Sequence, residues 1–213
     1  MTPPLPATAE LGLDPEAQRV DQLAREILGD NYVHFHVERL EMNEDFSEGR
    51  VTLKAQLSRS GSGERTDIEG GGVGLVDAFF DGVMKAYSTE YPSLKTLSVS
   101  DFSLSSGFDG ARGRRSDALA VAHLRIKNSE GVEFAFSHGT PSVTRSSVRV
   151  ALDALTFFIN SERAYIQLHL ALTDAKERRR SDLVERFRSQ MATLVSATSY
   201  SEVIERLRKE SDA

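Results

Sequence analysis

Two stretches of this chain run through the same succession of patterns, and that repetition limits the folds open to it more than any single motif. From Tyr32 to Glu38 the apolar Val33, Phe35 and Val37 alternate with polar residues, and Val51, Leu53, Ala55 and Leu57 alternate likewise after a Glu48-Gly49 turn. A shorter candidate strand, Glu64 to Glu69, runs into Gly70-Gly71-Gly72-Val73-Gly74, after which the apolar positions from Leu75 to Met84 recur at helical spacing. The order then restarts. Leu97 to Leu104 reads as a strand with a parity slip, Ala118, Ala120, Ala122, Leu124 and Ile126 line one face of the next, and Val132, Phe134 and Phe136 make a third. That strand ends in Gly139-Thr140-Pro141-Ser142, followed by a helical stripe of Val148, Leu152, Leu155 and Ile159. A three-stranded sheet with one apolar face cannot bury that face alone. The expected fold class is therefore α+β: two βββα units, 31–90 and 94–165, packed about a pseudo-twofold inside one domain spanning 31–172, rather than a doubly wound sheet.

The ends carry different patterns. Residues 1–13, rich in Pro, Ala and Thr, read as a disordered tail, because little apolar burial would offset the entropy of ordering them. Asp14 as N-cap, Pro15 at the first helical position, then Val20, Leu23, Ile27 and Leu28 up to Gly29, predict an N-terminal helix over 14–30. Residues 173–213 read as a helical extension. Leu183, Phe187, Met191 and Leu194 share one stripe there, and Ser199 with Glu202 forms a capping box ahead of a last helix.

At 213 residues, 39% of them hydrophobic, the chain has enough apolar material for one sizeable core, which excludes a disordered protein. No apolar run approaches eighteen residues, and the first residues lack a basic segment followed by an apolar one, so neither a membrane span nor a signal peptide is expected and the expected location is cytoplasmic. The absence of cysteine removes disulfides, thiolate metal sites and cysteine nucleophiles. A net charge of −6 disfavours nucleic acid and anionic membranes as partners.

Chemistry concentrates at the two glycine turns. Each would present backbone N–H groups at the start of a helix, where unpaired donors and partial positive charge suit a carboxylate. Gly72 and Gly74 permit close backbone approach, and Asp117 or the hydroxyls of Thr140, Thr144, Ser146 and Ser147 suit an ammonium or hydroxyl group on the same ligand. The same glycines also serve a tight strand-to-helix turn with no ligand at all, and the hydroxyls serve as helix caps; both readings stand at this point.

Other signals are weaker. His34, His36 and Glu38 share one strand face, which makes a two-histidine, one-carboxylate metal site conceivable, but outward histidines on a strand are usually solvated. Ser137 and His138 are adjacent on a strand and point to opposite faces, so they make no nucleophile–base pair. The glycine run Gly70 to Gly74 lacks both the Gly-Lys-Ser/Thr ending of a P-loop and the last glycine of a dinucleotide fingerprint. Arg112, Arg114 and Arg115 form a basic loop without the aromatics that stack on bases, and Arg178 to Arg180 lie among acids at helical spacing.

Gly72-Val73-Gly74-Leu75-Val76-Asp77-Ala78 resembles a G-x-G-P-V-D-A turn and helix start, with Leu75 at the proline position; Asp117-Ala118 is similar to a strand beginning D-A, and the helix from Ser147 to Asn160 to one ending in asparagine. These belong to the C-terminal allosteric domain of the 2-isopropylmalate synthases and citramalate synthases, the former enzymes of leucine biosynthesis, and the resemblance covers roughly residues 31 to 165. It implies two βββα units, a homodimer, and a feedback inhibitor such as leucine or isoleucine held near the dimer interface. It also implies no catalysis in this chain, because the family's reaction belongs to a separate TIM barrel of about 250 residues, for which these residues leave no room. The expected function is thus a non-catalytic regulatory module that binds a branched-chain amino acid or keto acid and modulates a partner enzyme, a separate catalytic subunit. Its ligand residues would be Gly72, Gly74, Asp77, Asp117, Gly139, Thr140 and Ser146, with no metal and no cofactor. The second loop departs from the family's, keeping only its first glycine in Gly139 to Ser146. The alternative is a dimerisation or scaffold module whose ligand site has decayed.

Overall fold

The computed structural model describes residues 9–106 and 119–197. Along the chain these are β1 (Ala9–Leu13), α1 (Pro15–Leu28), β2 (Phe35–Asp45), β3 (Arg50–Arg59), β4 (Arg65–Gly72), α2 (Leu75–Tyr87), a 3-10 turn (Pro92–Thr96), β5 (Ser98–Ser106), β6 (Ala120–Lys127), β7 (Glu133–Thr140), α3 (Val143–Glu177) and α4 (Ser181–Val195). The fold is α+β, with one antiparallel sheet ordered β2-β3-β4 and another ordered β1-β7-β6-β5. No helix among the described residues is long and apolar enough to cross a membrane.

The two βββα units match in detail. Val51, Leu53, Ala55 and Leu57 of β3 are buried on one face, as are Ala122, Leu124 and Ile126 of β6. In each unit the register of the first strand slips by one residue, between Val37 and Arg39 in β2 and between Val99 and Asp101 in β5. These bulges explain the parity slip in the sequence around Leu97 to Leu104. They also interrupt the alternation at Glu38, which stands at the β2 bulge.

The helices differ more than the repeat suggests. α2 has 13 residues and packs on β3 and β4, whereas α3 has 35 and contacts β2, β6, β7 and all three other helices. A helix surrounded in this way cannot be one-sided. From Ser146 to Glu162 nearly every α3 residue is buried, including the polar Thr156, Asn160, Ser161 and Glu162. Phe157 and Phe158 meet Phe134 and Phe136 of β7 with ring centroids 5.3 to 6.2 Å apart, two of the contacts edge to face. Polar residues on α3, buried and exposed alike, then fasten the segments that cross it. Asn160 takes both polar groups of the Val33 peptide, Arg163 Nη1 donates to Asn31 O at 2.6 Å, and Gln167 Nε2 donates to Ile27 O at 3.0 Å. Glu162 accepts from the backbone N–H and hydroxyl of Ser93, which anchors the 3-10 turn.

Two boundaries read from the sequence are corrected. Residues 9–13 are not a loose tail: they form β1, paired antiparallel with β7. Gly12 lies so close to Ser137 that a Cβ there would overlap its hydroxyl, and Asp14 continues the attachment by accepting from Ala135 N at 2.6 Å while capping α1 through Glu16 N and Ala17 N. The strand pairs with a partner far along the chain, which is why its own composition concealed it. At the other end, α3 passes through the expected boundaries at 165 and 172. The break comes at Arg179, in the left-handed region at φ 55°, just before α4. The capping box at Ser199 lies outside the described residues.

Candidate functional site

The two glycine turns open into different crevices. In the first unit β4 lies almost against α2, because Gly70 has no side chain: a Cβ there would overlap the Ala78 carbonyl oxygen and stand 2.6 Å from Gly82 N. Gly72 sits under Asp77 in the same way, with Ala78 N 2.7 Å from a hypothetical Cβ. Around this turn is a crevice of about 810 Å³ whose charged lining is Glu48, Glu69, Asp77 and Asp81 against Arg50 and Lys85. Two of the turn's N–H donors are already engaged. Val73 N donates to Asp77 Oδ2 at 3.0 Å and Gly71 N to Asp81 Oδ2 at 2.9 Å. Lys85 Nζ adds a 2.6 Å contact, and this ammonium together with the Gly71 N–H holds the Asp81 carboxyl below the usual carboxylate range. The chain's own carboxylates therefore stand where an external one was expected, in a crevice whose net charge repels another.

The second turn is closed in a different manner. Gly139 and Thr140 are buried, Thr140 N donates to Ser146 Oγ at 2.8 Å, and the Ser146 hydroxyl donates to Ala120 O at 2.7 Å. The hydroxyls of Thr140 and Ser146 are also 2.8 Å apart, so these expected ligand residues satisfy each other and β6. Ser142 caps α3 through Arg145 N at 3.2 Å. Asp117 lies outside the described residues, as do Arg112, Arg114 and Arg115. The structure thus brings Gly72, Gly74 and Asp77 together, and Gly139, Thr140 and Ser146 together, in two separate places.

What sequence reasoning missed is the crevice beside the second turn. β2 runs past the start of α3 and leaves a crevice of about 470 Å³, lined by Val37, Glu38, Arg39 and Leu40 from β2 and by Ser142, Thr144, Arg145, Val148 and Arg149 from the start of α3. Arg149 Nε is 3.1 Å from Asp153 Oδ1, and the other oxygen of Asp153 is 2.9 Å from His138 Nδ1. Arg145 is exposed and forms no ion pair among the described residues. It occupies the third position of α3, where the helix dipole favours an acid. The available signal was Arg145 and Arg149 one turn apart behind a capping serine, but only the fold brings Arg39 to them.

His34 and His36 do not assemble a metal centre with Glu38: the Glu38 carboxylate accepts from Ser58 Oγ at 2.6 Å, and no group of three such side chains among the described residues is placed to hold a metal ion. His34 stacks against Tyr32 at 5.0 Å instead. Partial burial, followed by the positive charges of Arg25, His36 and Arg149, holds the His34 imidazole below the ordinary histidine range. The unfolded chain then binds the proton more readily, so stability should rise with pH in the window just below the ordinary histidine value of about 6.5 and level off above it. Urea unfolding of His34→Gln should show a shallower slope in that window than the parent; identical slopes would contradict the assignment.

Neither a protein-family model nor a curated protein matches this chain.

Proposed function

We propose that this protein is a non-catalytic regulatory module that binds a small carboxylate metabolite, a branched-chain amino acid or keto acid, in the arginine crevice between β2 and the start of α3, and passes that state to a partner enzyme. The observation that carries the reading is Arg145 itself, a cation without a partner among the described residues, at the end of a helix where cations are disfavoured and anions welcomed. Arg39 and Arg149, each paired with a carboxylate of the chain (Glu41 at 2.5 Å, Asp153 at 3.1 Å), add further guanidinium donors, Ser142 and Thr144 add hydroxyls, and Val37, Leu40 and Val148 add apolar surface for an aliphatic side chain. The module keeps the chemistry expected at the glycine turns but moves it from the turn backbones to the arginines beside the second one. Asp153, held between Arg149 and His138, fixes the Arg149 side chain at the crevice wall.

Calorimetric titration and thermal shift with leucine, isoleucine, valine and their 2-keto acids test this. At least one should raise Tm in a concentration-dependent way. Arg145→Ala should weaken it by about tenfold or more, the loss expected for a charge-assisted hydrogen bond. If none of the six compounds gives heat or a Tm shift, the ligand reading fails. The dimerisation or scaffold reading would then stand in its place, supported by the engagement of the first turn's donors with Asp77 and Asp81.

A further inference from the structure

The turn that joins β2 to β3 presents an aromatic ring to solvent. Phe46 is 88% exposed and Val73 84%, the two most exposed large apolar side chains among the described residues. They stand at one end of the three-stranded sheet, since Glu48 and Gly49 of that turn line the same crevice as Val73. The backbone that carries Phe46 is fixed by its neighbours. Asp45 Oδ1 accepts from Ser47 N at 2.8 Å, from Ser47 Oγ at 2.6 Å and from Glu48 N at 3.1 Å, and Gly49 closes the turn in the left-handed region at φ 60°. An aromatic side chain on a turn held in this way gives up little freedom when another molecule buries it. Three carboxylates flank it within two residues, Glu44, Asp45 and Glu48, and none is in an ion pair among the described residues. The Ser47 hydroxyl and the N–H groups of Glu48 and Ser47 hold the Asp45 carboxyl below the usual carboxylate range, so the turn keeps that charge.

We propose that this tip is a docking anchor for a different protein, one whose surface carries an apolar pocket bordered by lysines or arginines. Phe46 fills the pocket, Val73 rests on its rim, and Glu44, Asp45 and Glu48 face the bordering cations. An aromatic anchor at the centre supplies most of the binding energy in such a contact, while the charges around it steer the encounter and select the partner. Those carboxylates oppose an anionic lipid surface, which attracts basic segments instead. This chain's own arginine crevice is a poor match for the tip, because Arg39 and Arg149 already hold Glu41 and Asp153. Phe46 is not among the residues lining that crevice, so the anchor and the carboxylate site are separate surfaces.

The test places a photo-reactive benzophenone analogue of phenylalanine at position 46 of the full chain, in the cells that naturally produce it, with the same probe at the exposed Leu170 as control. Mass spectrometry then locates the crosslinked residues. The probe at 46, and not the one at 170, should mark one protein, at apolar residues bordered by Lys or Arg. With that protein purified, Phe46→Ala should raise the dissociation constant at least about 30-fold, the loss expected for an interface hot spot. Glu44→Lys/Glu48→Lys should raise it at least about tenfold, and acidic substitutions at the partner's bordering cations should restore binding to this variant. Unchanged Tm values would show that both variants fold as the parent does. No crosslink particular to position 46, a crosslink to lipid or to a second copy of this chain, a marked site without bordering cations, or a Phe46→Ala variant that binds like the parent would each overturn the proposal. The experiment uses no metabolite, so it stands or falls separately from the carboxylate titrations.

Discussion

Gly70→Ala is expected to destabilise the protein by about 3 kcal/mol or more, a large effect for adding one methyl group. The added carbon would overlap the Ala78 carbonyl oxygen and lie 2.6 Å from Gly82 N, and both are helix backbone with no flexible end to swing aside. Gly82 shows how close the two backbones lie, since a Cβ added there would in turn stand 3.3 Å from the Glu69 carbonyl carbon and from Gly70 N. α2 must therefore lift off β4 as a unit, opening contacts of the buried Ala78, Phe79 and Val83 with the sheet. For a chain of this length the loss corresponds to a fall in Tm of roughly 6 to 12 °C. Gly74→Ala is the control. A methyl group on Gly74 would meet no atom within 4 Å and the backbone there is extended at φ −158°, so the substitution costs only the poorer N-cap that alanine makes and should lower Tm by no more than about 3 °C. If the two substitutions behave alike, close packing at Gly70 is not what the glycine turn provides.

That contrast shows what was legible before the structure. The glycine run marked a strand meeting a helix, and the reading that glycine permits a tight junction is the one Gly70 and Gly72 bear out by distance. The alternation in β3 and β6, the cap at Asp14 and the order of the repeated elements were equally plain, because each follows from side-chain period or local capping within a few residues. What stayed hidden depends on partners far along the chain. β1 is held by β7 more than 120 residues away, and the Ser146–Glu162 stretch of α3 is buried nearly all round only because elements of both sheets and the other helices pack on α3. Thr140 and Ser146 resemble exposed hydroxyls until β6 places Ala120 O against them. The arginine crevice needs Arg39, which the β2 bulge shifts in register, so counting alternate residues from His34 misplaces everything beyond Glu38.

Another remote contact gives the other large expected effect. Asn160→Ala should cost about 3 kcal/mol, because it strands buried groups as well as removing bonds. Asn160 Oδ1 accepts from Val33 N at 3.0 Å, and Nδ2 donates to Val33 O at 2.8 Å and to Thr156 O at 2.9 Å. One side chain thus completes the Val33 peptide as a neighbouring strand would, 127 residues away, at a point where the chain passes from α1 into β2 before the ladder begins. Both residues are buried, so water cannot readily replace what alanine removes. Asn160→Asp separates the two halves of the clamp: it loses the donor to Val33 O and Thr156 O but keeps an acceptor for Val33 N–H beside the Arg163 guanidinium, whose Nη1 stands 3.4 Å from Oδ1, so it should destabilise less than alanine at neutral pH. Urea unfolding gives the size of each change, and amide hydrogen exchange gives its origin. In the parent the Val33 amide should exchange as slowly as those of the core strands. In the alanine variant it should become fast even where the strands stay protected, because the clamp spans the joint between the N-terminal helix and the first sheet. Full protection of Val33 in that variant would place the joint's stability in the apolar contacts of Tyr32 and Phe35 rather than in Asn160.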